Sequence, residues 1–315
     1  MLIPCYNEAA TVADVVAAFR RELPDAAIWV YDNNSTDGTD EVARRAGAFI
    51  GYAKYQGKGN TVRRMFADVE ADTYVLVDGD GTYDATSVKR LLEEYASTRA
   101  DMANGSRVMG QHGAYRPGHR FGNWLLTALV GLIFGRQFRD LLSGYRVFSR
   151  RFAKSFAAHS RGFEIETELT IHALELRMPT VEVDTPYQPR PDGSESKLST
   201  LRDGWRILRT IGKLVKDERP LPLFLTFFAL FSITSVVLSI PLFITYMETG
   251  LVPRFPTAIL SAGLMVLAFL CLACGLILDT VTRGRQEVKQ MRYLSLPGPC
   301  LDRSRVSGRV ESDMN

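Results

Sequence analysis

Two aspartates follow a short apolar stretch that reads as a buried strand. The segment Thr73–Tyr83 has the sequence TYVLVDGDGTY, in which residues 74–77 are apolar or aromatic. Asp78 and Asp80 are each followed by a glycine that lets the backbone turn tightly. Two carboxylates spaced in this way can share one hard cation, and ligands of open α/β sheets bind outside the carboxyl ends of strands. The stretch predicts a site for a divalent metal and a phosphate-bearing ligand; the alternative is a solvated Asp-Gly turn.

Alternating strand and helix signals surround this stretch and predict an α/β fold. Alternation of this kind is typical of a parallel sheet with crossover helices. We expect either a very short first strand or further strand residues upstream of Met1. Apolar runs predict strands at 2–4, 28–31, 48–52, 74–77, 102–105, 145–149 and 180–186, and helical spacing predicts helices at 8–23, 39–46, 57–69, 87–97 and 162–175.

The composition indicates a globular protein in a reducing compartment. The chain has 315 residues, a formal net charge of +3 and 46% hydrophobic residues. Its four cysteines form no plausible disulfide framework. The N-terminal residues do not read as a signal peptide, so we expect the soluble part to face the cytosol. The modest net charge gives no indication of a nucleic-acid partner.

Residues 198–219 predict an amphipathic helix that lies in a membrane interface. Trp205 and four aliphatic residues line one face, and basic residues occupy most of the remainder. An aromatic and aliphatic face opposite a basic one suits an interfacial helix. The alternative is a helix that packs in a bundle.

Two long charge-free runs predict a transmembrane hairpin. One lies between Arg219 and Glu248 and the other between Arg254 and Asp279. Each exceeds the roughly 20 residues that a spanning helix needs, so we expect helices at about 221–246 and 256–278 within a membrane domain at 220–280. Basic residues crowd the outer flanks, which predicts a multi-pass protein of the plasma (inner) membrane with both termini cytoplasmic. Residues 281–315 are expected to form a partly disordered cytoplasmic tail.

Six features in this order carry a family resemblance. The motifs are IPCYNE (3–8), YDNNSTDGT (31–39), VDGDGT (77–82), SGYRVF (143–148) and SKLS (196–199), and the membrane hairpin follows them. The chain resembles family 2 glycosyltransferases of the polyprenyl-phosphate type, the relatives of dolichol-phosphate mannose synthase and of undecaprenyl-phosphate glucosyltransferases. The resemblance implies a GT-A catalytic domain at 1–197, and it leaves room for a homo-oligomer.

The resemblance implies a nucleotide-sugar donor and a metal cofactor. By position, the donor-binding residues are Pro4, Tyr6, Glu8, Asp32 and Asp78. Asp78 and Asp80 match the metal motif, for which Mg²⁺ and Mn²⁺ are equally suitable. The chain departs from the family at Thr82, where a glutamine or similar side chain is usual, and at Asn33, where an acid is usual.

The acceptor implied by the resemblance is a lipid phosphate. A phosphate monoester is largely a dianion at neutral pH, so it needs positive charge around it and no general base. Cations in the segments that the family uses for this purpose are Arg107, Arg116, Arg120, Arg139, Arg146 and Lys197. Arg146 and Lys197 are the strongest candidates, and the alternative for any of them is a surface salt bridge.

Three acids lie on the helix predicted at 162–175. Spacing on a helix puts Glu164 and Glu168 on one face and Glu166 well round from it. In the family, one acid of this helix faces the donor sugar. Either Glu166 or Glu168 can take that role, so both join Asp80, Arg146 and Lys197 as candidate catalytic residues; the alternative is a solvated helix face.

The sequence thus predicts inverting transfer of a hexose from a UDP- or GDP-sugar to undecaprenyl or dolichyl phosphate. The sugar and the base stay open. One alternative is a processive polysaccharide synthase, although the Gln-x-x-Arg-Trp motif of those enzymes does not occur in the chain. A second alternative is a non-catalytic membrane scaffold that retains the fold.

Overall fold

A computed structural model describes residues 1–109, 127–128, 130–131, 138–157, 162, 164–188, 212, 216 and 219–299. Two compact units make up the chain. The first contains Met1–Trp205 together with Val288–Asn315, and the second contains Arg206–Glu287.

A seven-stranded mixed sheet forms the centre of the first unit. The strands are β1 (Leu2–Cys5), β2 (Trp29–Asp32), β3 (Phe49–Tyr52), β4 (Thr73–Leu76), β5 (Met102–Met109), β6 (Arg146–Ser149) and β7 (Thr180–Tyr187), in the order β3-β2-β1-β4-β6-β5-β7. Strands β1 to β4 run parallel. Strand β6 runs antiparallel to both β4 and β5, and β7 is parallel to β5. The parallel arrangement predicted from the alternating strands and helices is confirmed for β1 to β4, whereas β6, which lies beyond that alternation, runs in the opposite direction.

Helices cover the sheet and bury their apolar positions on it. They are α1 (Val12–Glu22), α2 (Thr39–Arg45), α3 (Lys58–Asp68), α4 (Ser87–Ser97), α5 (Arg150–Ser155) and α6 (Ile165–Glu175). In α1 the buried residues are Val12, Val15, Val16 and Phe19, which share one face at helical spacing. The sequence did not predict helix α5. Ser149 caps its amino end, because the side-chain oxygen of Ser149 accepts a hydrogen bond from the N–H of Phe152 at 3.1 Å.

The strand register brings several chain segments to one edge of the sheet. Leu2 of β1 and Arg146 of β6 both pair with Leu76 of β4. Because β6 is reversed, its amino end lies beside the carboxyl ends of β1, β2 and β4. The segments that follow Cys5, Asp32 and Leu76, and the segment that precedes Arg146, therefore meet at this edge.

The second unit contains two long apolar helices, α7 (Pro220–Thr249) and α8 (Phe255–Leu294). Both are long and apolar enough to cross a membrane by length and composition, and their side chains are mostly exposed, which indicates membrane association. Within this unit the hydroxyl of Ser235 donates to the carbonyl of Ser261 at 2.6 Å, and Gly275 lies against Phe224. Later residues of α8 thus contact earlier residues of α7, so the two helices pack as an antiparallel pair. The buried residues of α8 in this unit are small and recur every seven positions: Ser261, Ala268, Gly275 and Thr282. Small residues allow two apolar helices to approach closely.

The last turns of α8 belong to the first unit. Tyr293 donates its phenol hydrogen to Asp101 at 2.7 Å, and the ammonium of Lys289 lies 2.7 Å from the buried carboxylate of Glu175. The helix thus extends well beyond the end predicted near residue 278. The interfacial helix expected at 198–219 lies almost wholly outside the described residues.

Candidate active site

The two aspartates predicted to bind metal follow β4 at the edge where the segments meet. Asp80 is buried, and Asp78 keeps a quarter of its side chain exposed. The hydroxyl of Thr82 donates to Oδ1 of Asp80 at 2.6 Å, and the N–H of Thr82 donates to the same oxygen at 3.2 Å. Thr82 therefore orients the carboxylate of Asp80. The sequence did not indicate this role for Thr82, which stands where the family usually has a glutamine.

A glycine of the SGYRVF motif makes room for Asp78. A Cβ atom at position 144 would overlap with the carboxylate oxygens of Asp78. The backbone N–H of Gly144 donates to the phenol oxygen of Tyr83 at 2.8 Å, which fixes the glycine in place. Gly144 thus allows the segment before β6 to lie directly against the site.

Lys58 connects the aspartate pair to the acidic helix α6. Its Nζ lies 2.5 Å from Oδ1 of Asp78 and 2.5 Å from Oε1 of Glu166. All three side chains are largely enclosed, with exposed fractions of 10% for Lys58, 25% for Asp78 and 6% for Glu166. The structure therefore brings Glu166, rather than Glu168, into contact with this group.

The pKa values of Lys58 and Glu166 reflect their burial and their ion pairs. Burial alone would lower the pKa of Lys58, but the carboxylates of Asp78 and Glu166 outweigh it and raise that pKa above its ordinary value. Burial raises the pKa of Glu166, and Lys58 opposes the rise. The second oxygen of Glu166, Oε2, is buried and accepts no hydrogen bond from the described part of the chain.

Asn33 positions the loop that leads to Lys58. Its Nδ2 donates to the carbonyls of Ala53 and Tyr55 at 3.0 and 2.8 Å. Its Oδ1 accepts from the N–H of Gly57 at 2.6 Å. An ionised aspartate at position 33 could not donate to these two carbonyls. The contacts therefore explain why this chain has an asparagine where the family usually has an acid. Sequence analysis missed Lys58 itself, although its place between two glycines at the start of α3 was a usable signal.

Two loops at the carboxyl ends of β1 and β2 are joined by hydrogen bonds. The N–H of Asn7 donates to Oγ of Ser35 at 2.9 Å, and the N–H of Thr36 donates to Oδ1 of Asn7 at 2.8 Å. The N–H of Glu8 donates to Oγ1 of Thr39 at 2.9 Å. The two loops therefore form one rigid wall of the site.

Asp32 offers an open acceptor beside that wall. Its side chain is buried, and Oδ2 accepts from the N–H of Ser35 at 3.1 Å. Its other oxygen, Oδ1, is buried and accepts no hydrogen bond among the residues described. A buried carboxylate oxygen without a donor is costly, so it fits a donor that a ligand supplies. Pro4, Tyr6 and Glu8 lie on the neighbouring strand end and are half-buried.

The carboxylate pair fits a divalent metal that also binds phosphate. Mg²⁺ sites commonly use one or two carboxylates and complete their coordination with phosphate oxygens and water. Asp78 and Asp80 supply this number of hard oxygen ligands. Within the described ranges no group of three His, Cys, Asp or Glu residues could hold a metal by itself. The site therefore suits Mg²⁺ or Mn²⁺ that arrives with a diphosphate.

Arg146 differs from its expected setting. Its guanidinium is fully buried and donates to the carbonyls of Ser143 and Leu141 at 2.9 and 2.7 Å and to Oγ1 of Thr170 at 2.8 Å. Burial lowers the pKa of Arg146 to about 10. A buried guanidinium engaged in this way is not exposed to a phosphate, so the expectation that it binds the acceptor is corrected to a structural role.

The other expected acceptor cations divide into two groups. The guanidinium of Arg107 forms a two-pronged ion pair with Asp140 at 2.7 and 2.8 Å. Arg139 is exposed and pairs with Glu182 and Asp184 at 3.1 and 2.5 Å. Arg116, Arg120 and Lys197 lie outside the described residues.

Glu164 and Glu168 are only partly buried.

The sequence of the chain is similar to those of known glycosyltransferases. The model of the glycosyl transferase family 2 domain matches residues 1–156. The chain is 39% identical over 223 residues to glycosyltransferase AglJ of Haloferax volcanii, covering 70% of this chain and 73% of that protein. It is 26% identical over 214 residues to the dolichyl-phosphate hexose transferase of the same organism, covering 68% of this chain and 92% of that protein.

Solved structures share the fold. One is glucosyl-3-phosphoglycerate synthase from Mycobacterium tuberculosis in complex with Mn²⁺, UDP and glucosyl-3-phosphoglycerate. It is 20% identical, covers 68% of this chain and 77% of its own, and superposes with a TM-score of 0.56. The expected GT-A fold and the expected enzyme class are confirmed. The chain belongs to glycosyl transferase family 2.

Proposed function

We propose that this glycosyltransferase moves a hexose from a UDP- or GDP-sugar to a polyprenyl phosphate on the cytoplasmic face of a membrane. The proposal rests on the placement of three carboxylates. Asp32, which has an open oxygen, ends one strand, and Asp78 and Asp80 follow another strand of the same parallel part of the sheet. The same chain contains two helices that are long and apolar enough to cross a membrane. This arrangement suits a nucleoside diphosphate and a lipid acceptor together.

The donor would lie along the carboxyl edge of the sheet. Oδ1 of Asp32 would accept an N–H of the base or a ribose hydroxyl. Pro4, Tyr6 and Glu8 would line the same pocket. Glu166 would lie beside the sugar, since its contact with Lys58 puts it next to Asp78.

Asp78 and Asp80 would hold Mg²⁺ or Mn²⁺. When bound, the metal would neutralise the leaving nucleoside diphosphate. Thr82 keeps Oδ1 of Asp80 oriented, and Gly144 leaves space for the carboxylate of Asp78. Lys58 adds a positive charge at the same edge.

The acceptor would be its own nucleophile. An oxygen of the lipid phosphate dianion forms the new bond to the anomeric carbon while the bond from that carbon to the diphosphate breaks, so the configuration inverts and no protein base is required. Arg116, Arg120 and Lys197 are the proposed phosphate contacts. Arg107 and Arg139 would contribute only if they left their ion pairs. The name of the dolichyl-phosphate hexose transferase supports an acceptor of this class.

The experiment is a transfer assay with the full chain in detergent or nanodiscs. Undecaprenyl phosphate is offered with a panel of UDP- and GDP-sugars and Mg²⁺ or Mn²⁺, and products are identified by mass spectrometry. We expect a polyprenyl phosphate that carries one hexose from one preferred donor. Products with several sugars would favour a processive synthase. Equal transfer to soluble sugars would contradict a lipid acceptor.

A further inference from the structure

The position of Lys58 bears on how a cation reaches the aspartate pair. Its Nζ is 2.5 Å from Oδ1 of Asp78 and equally close to Oε1 of Glu166. An ammonium at this distance occupies one lone-pair direction of that oxygen, and its positive charge repels a cation that approaches the same carboxylate. A metal ion that uses Oδ1 of Asp78 therefore meets a competitor for that oxygen.

The backbone around Lys58 limits how far the ammonium can retreat. Lys58 is the first residue of α3, and the loop before it is held by the hydrogen bonds of Asn33 to Tyr55 and Gly57. Only the side chain can move without breaking these contacts. Glu166 offers a place to retain it, because its second oxygen is buried and accepts no hydrogen bond within the described residues.

We infer that Lys58 competes with the divalent metal for Asp78, and that Glu166 is the positioning residue that holds Lys58 when the metal binds. This inference rests on the proposed metal site and deepens it. It implies that metal binding in the absence of a nucleotide is opposed by a charge built into the chain. A metal that arrives with a diphosphate brings compensating negative charge and overcomes this opposition.

Substitutions of Lys58 and of Glu166 are expected to change the Mn²⁺ affinity in opposite directions. Lys58→Met removes the competitor and should tighten Mn²⁺ binding by on the order of tenfold or more, because charges this close interact strongly in a partly buried site. Glu166→Gln removes the alternative partner of Lys58 and should weaken Mn²⁺ binding. A merely structural role would make both variants bind more weakly.

A double-mutant cycle separates competition from long-range electrostatics. If the two charges only changed the local potential, their effects would add, and Glu166→Gln would weaken Mn²⁺ binding as much in the Lys58→Met background as in the wild type. If Lys58 competes directly, Glu166→Gln loses most of its effect once Lys58 is absent. The double variant then binds Mn²⁺ more tightly than the wild type. It also removes the charge of Glu166 together with that of Lys58, so that Glu166 does not remain as a buried carboxylate without its ammonium partner.

The measurement is a titration of Mn²⁺ into the full-length protein in detergent without nucleotide, followed by the electron paramagnetic resonance signal of free Mn²⁺. Lys89→Met is the matched control, since Lys89 is 60% exposed and pairs with Glu22, and its affinity should equal that of the wild type. Asp80→Ala should abolish binding. Tighter binding by Lys58→Met and by the double variant supports the inference.

Two results overturn the inference in distinguishable ways. Unchanged or weaker binding by Lys58→Met, with binding still lost in Asp80→Ala, refutes competition and leaves the proposed metal site standing. Mn²⁺ binding that is insensitive to Asp80→Ala in every background refutes the metal site and the inference together.

Discussion

Gly144 lies directly against the carboxylate of Asp78, so that even a methyl group at position 144 would overlap with both carboxylate oxygens. The two residues are far apart in the chain and meet because β6 runs antiparallel beside β4. The glycine of the SGYRVF motif is thus explained by a close approach to the proposed metal site.

Gly144→Ala should lower kcat/KM for hexose transfer by about 100-fold, because displacing a reacting group by about 1 Å costs this much. Gly284→Ala is the matched control, since nothing lies within 4 Å of a Cβ at that position. Steady-state kinetics with the preferred donor check the result. An unaltered kcat/KM in Gly144→Ala would show that Asp78 tolerates displacement.

Thr82→Val should reduce transfer about 10- to 100-fold, since a hydrogen bond to a charged group contributes ~1.5–3 kcal/mol. The variant removes the hydroxyl that donates to Asp80 at 2.6 Å and keeps the size of the side chain. Thr82→Ser keeps the hydroxyl and should retain most activity. Equal losses in both variants would contradict the orienting role of the hydroxyl.

Asn33→Asp should destabilise the first unit by about 2–3 kcal/mol, because it replaces two donated hydrogen bonds by repulsion between a buried carboxylate and two carbonyl oxygens. Asn34→Asp is the control, since Asn34 is exposed and donates once, to the carbonyl of Lys54. Thermal unfolding of both variants provides the comparison. If Asn33→Asp unfolds at the wild-type temperature, the amide has no structural role.

His172 should make the protein less stable in acid. Burial, with a smaller contribution from Lys289, lowers its pKa to about 3, whereas an unfolded histidine titrates near ~6.5. The unfolded chain binds the proton first, so stability is complete above about pH 6.5 and falls by up to ~1.4 kcal/mol per unit as the pH drops toward 3.

His172→Phe should remove this part of the acid dependence. The site suits an aromatic ring, since Phe152 and Phe156 lie with their ring centroids 5.1 and 5.3 Å from that of His172. Unfolding temperatures at pH 7.5 and 5.0 should differ less in the variant than in the wild type. The same difference in both proteins would assign the acid sensitivity to other groups.

The sequence predicted those parts of the site that depend on local pattern. A short apolar run ending in Asp78 and Asp80 indicates both the strand and the carboxylate pair at its end, which we propose to hold the metal. The same holds for Asp32 and for the apolar helices. The charge-free runs were sufficient to predict two long apolar helices, because the ability of a helix to cross a membrane depends on composition over about 20 residues.

Features that depend on distant pairing were not predictable in this way. The apolar run at 145–149 predicts a strand but not its direction. The antiparallel pairing of β6 with β4 could therefore not be inferred from the sequence. Lys58 meets Glu166 across 108 positions, and nothing local to either residue signals the contact. Arg146 has a suitable charge in a suitable motif, but its burial follows from packing against Thr170 on another element.

The decisive measurement for the proposed metal-assisted transfer is the activity of Asp80→Ala. The wild type and the variant, both shown to be folded by thermal unfolding, are compared with undecaprenyl phosphate and the preferred nucleotide-sugar at saturating Mg²⁺ or Mn²⁺. We expect the wild type to form the lipid-linked hexose and Asp80→Ala to form it at a rate at least about 100-fold lower, because the leaving diphosphate is no longer neutralised. Undiminished formation of the lipid-linked hexose by Asp80→Ala would refute a metal held by Asp80.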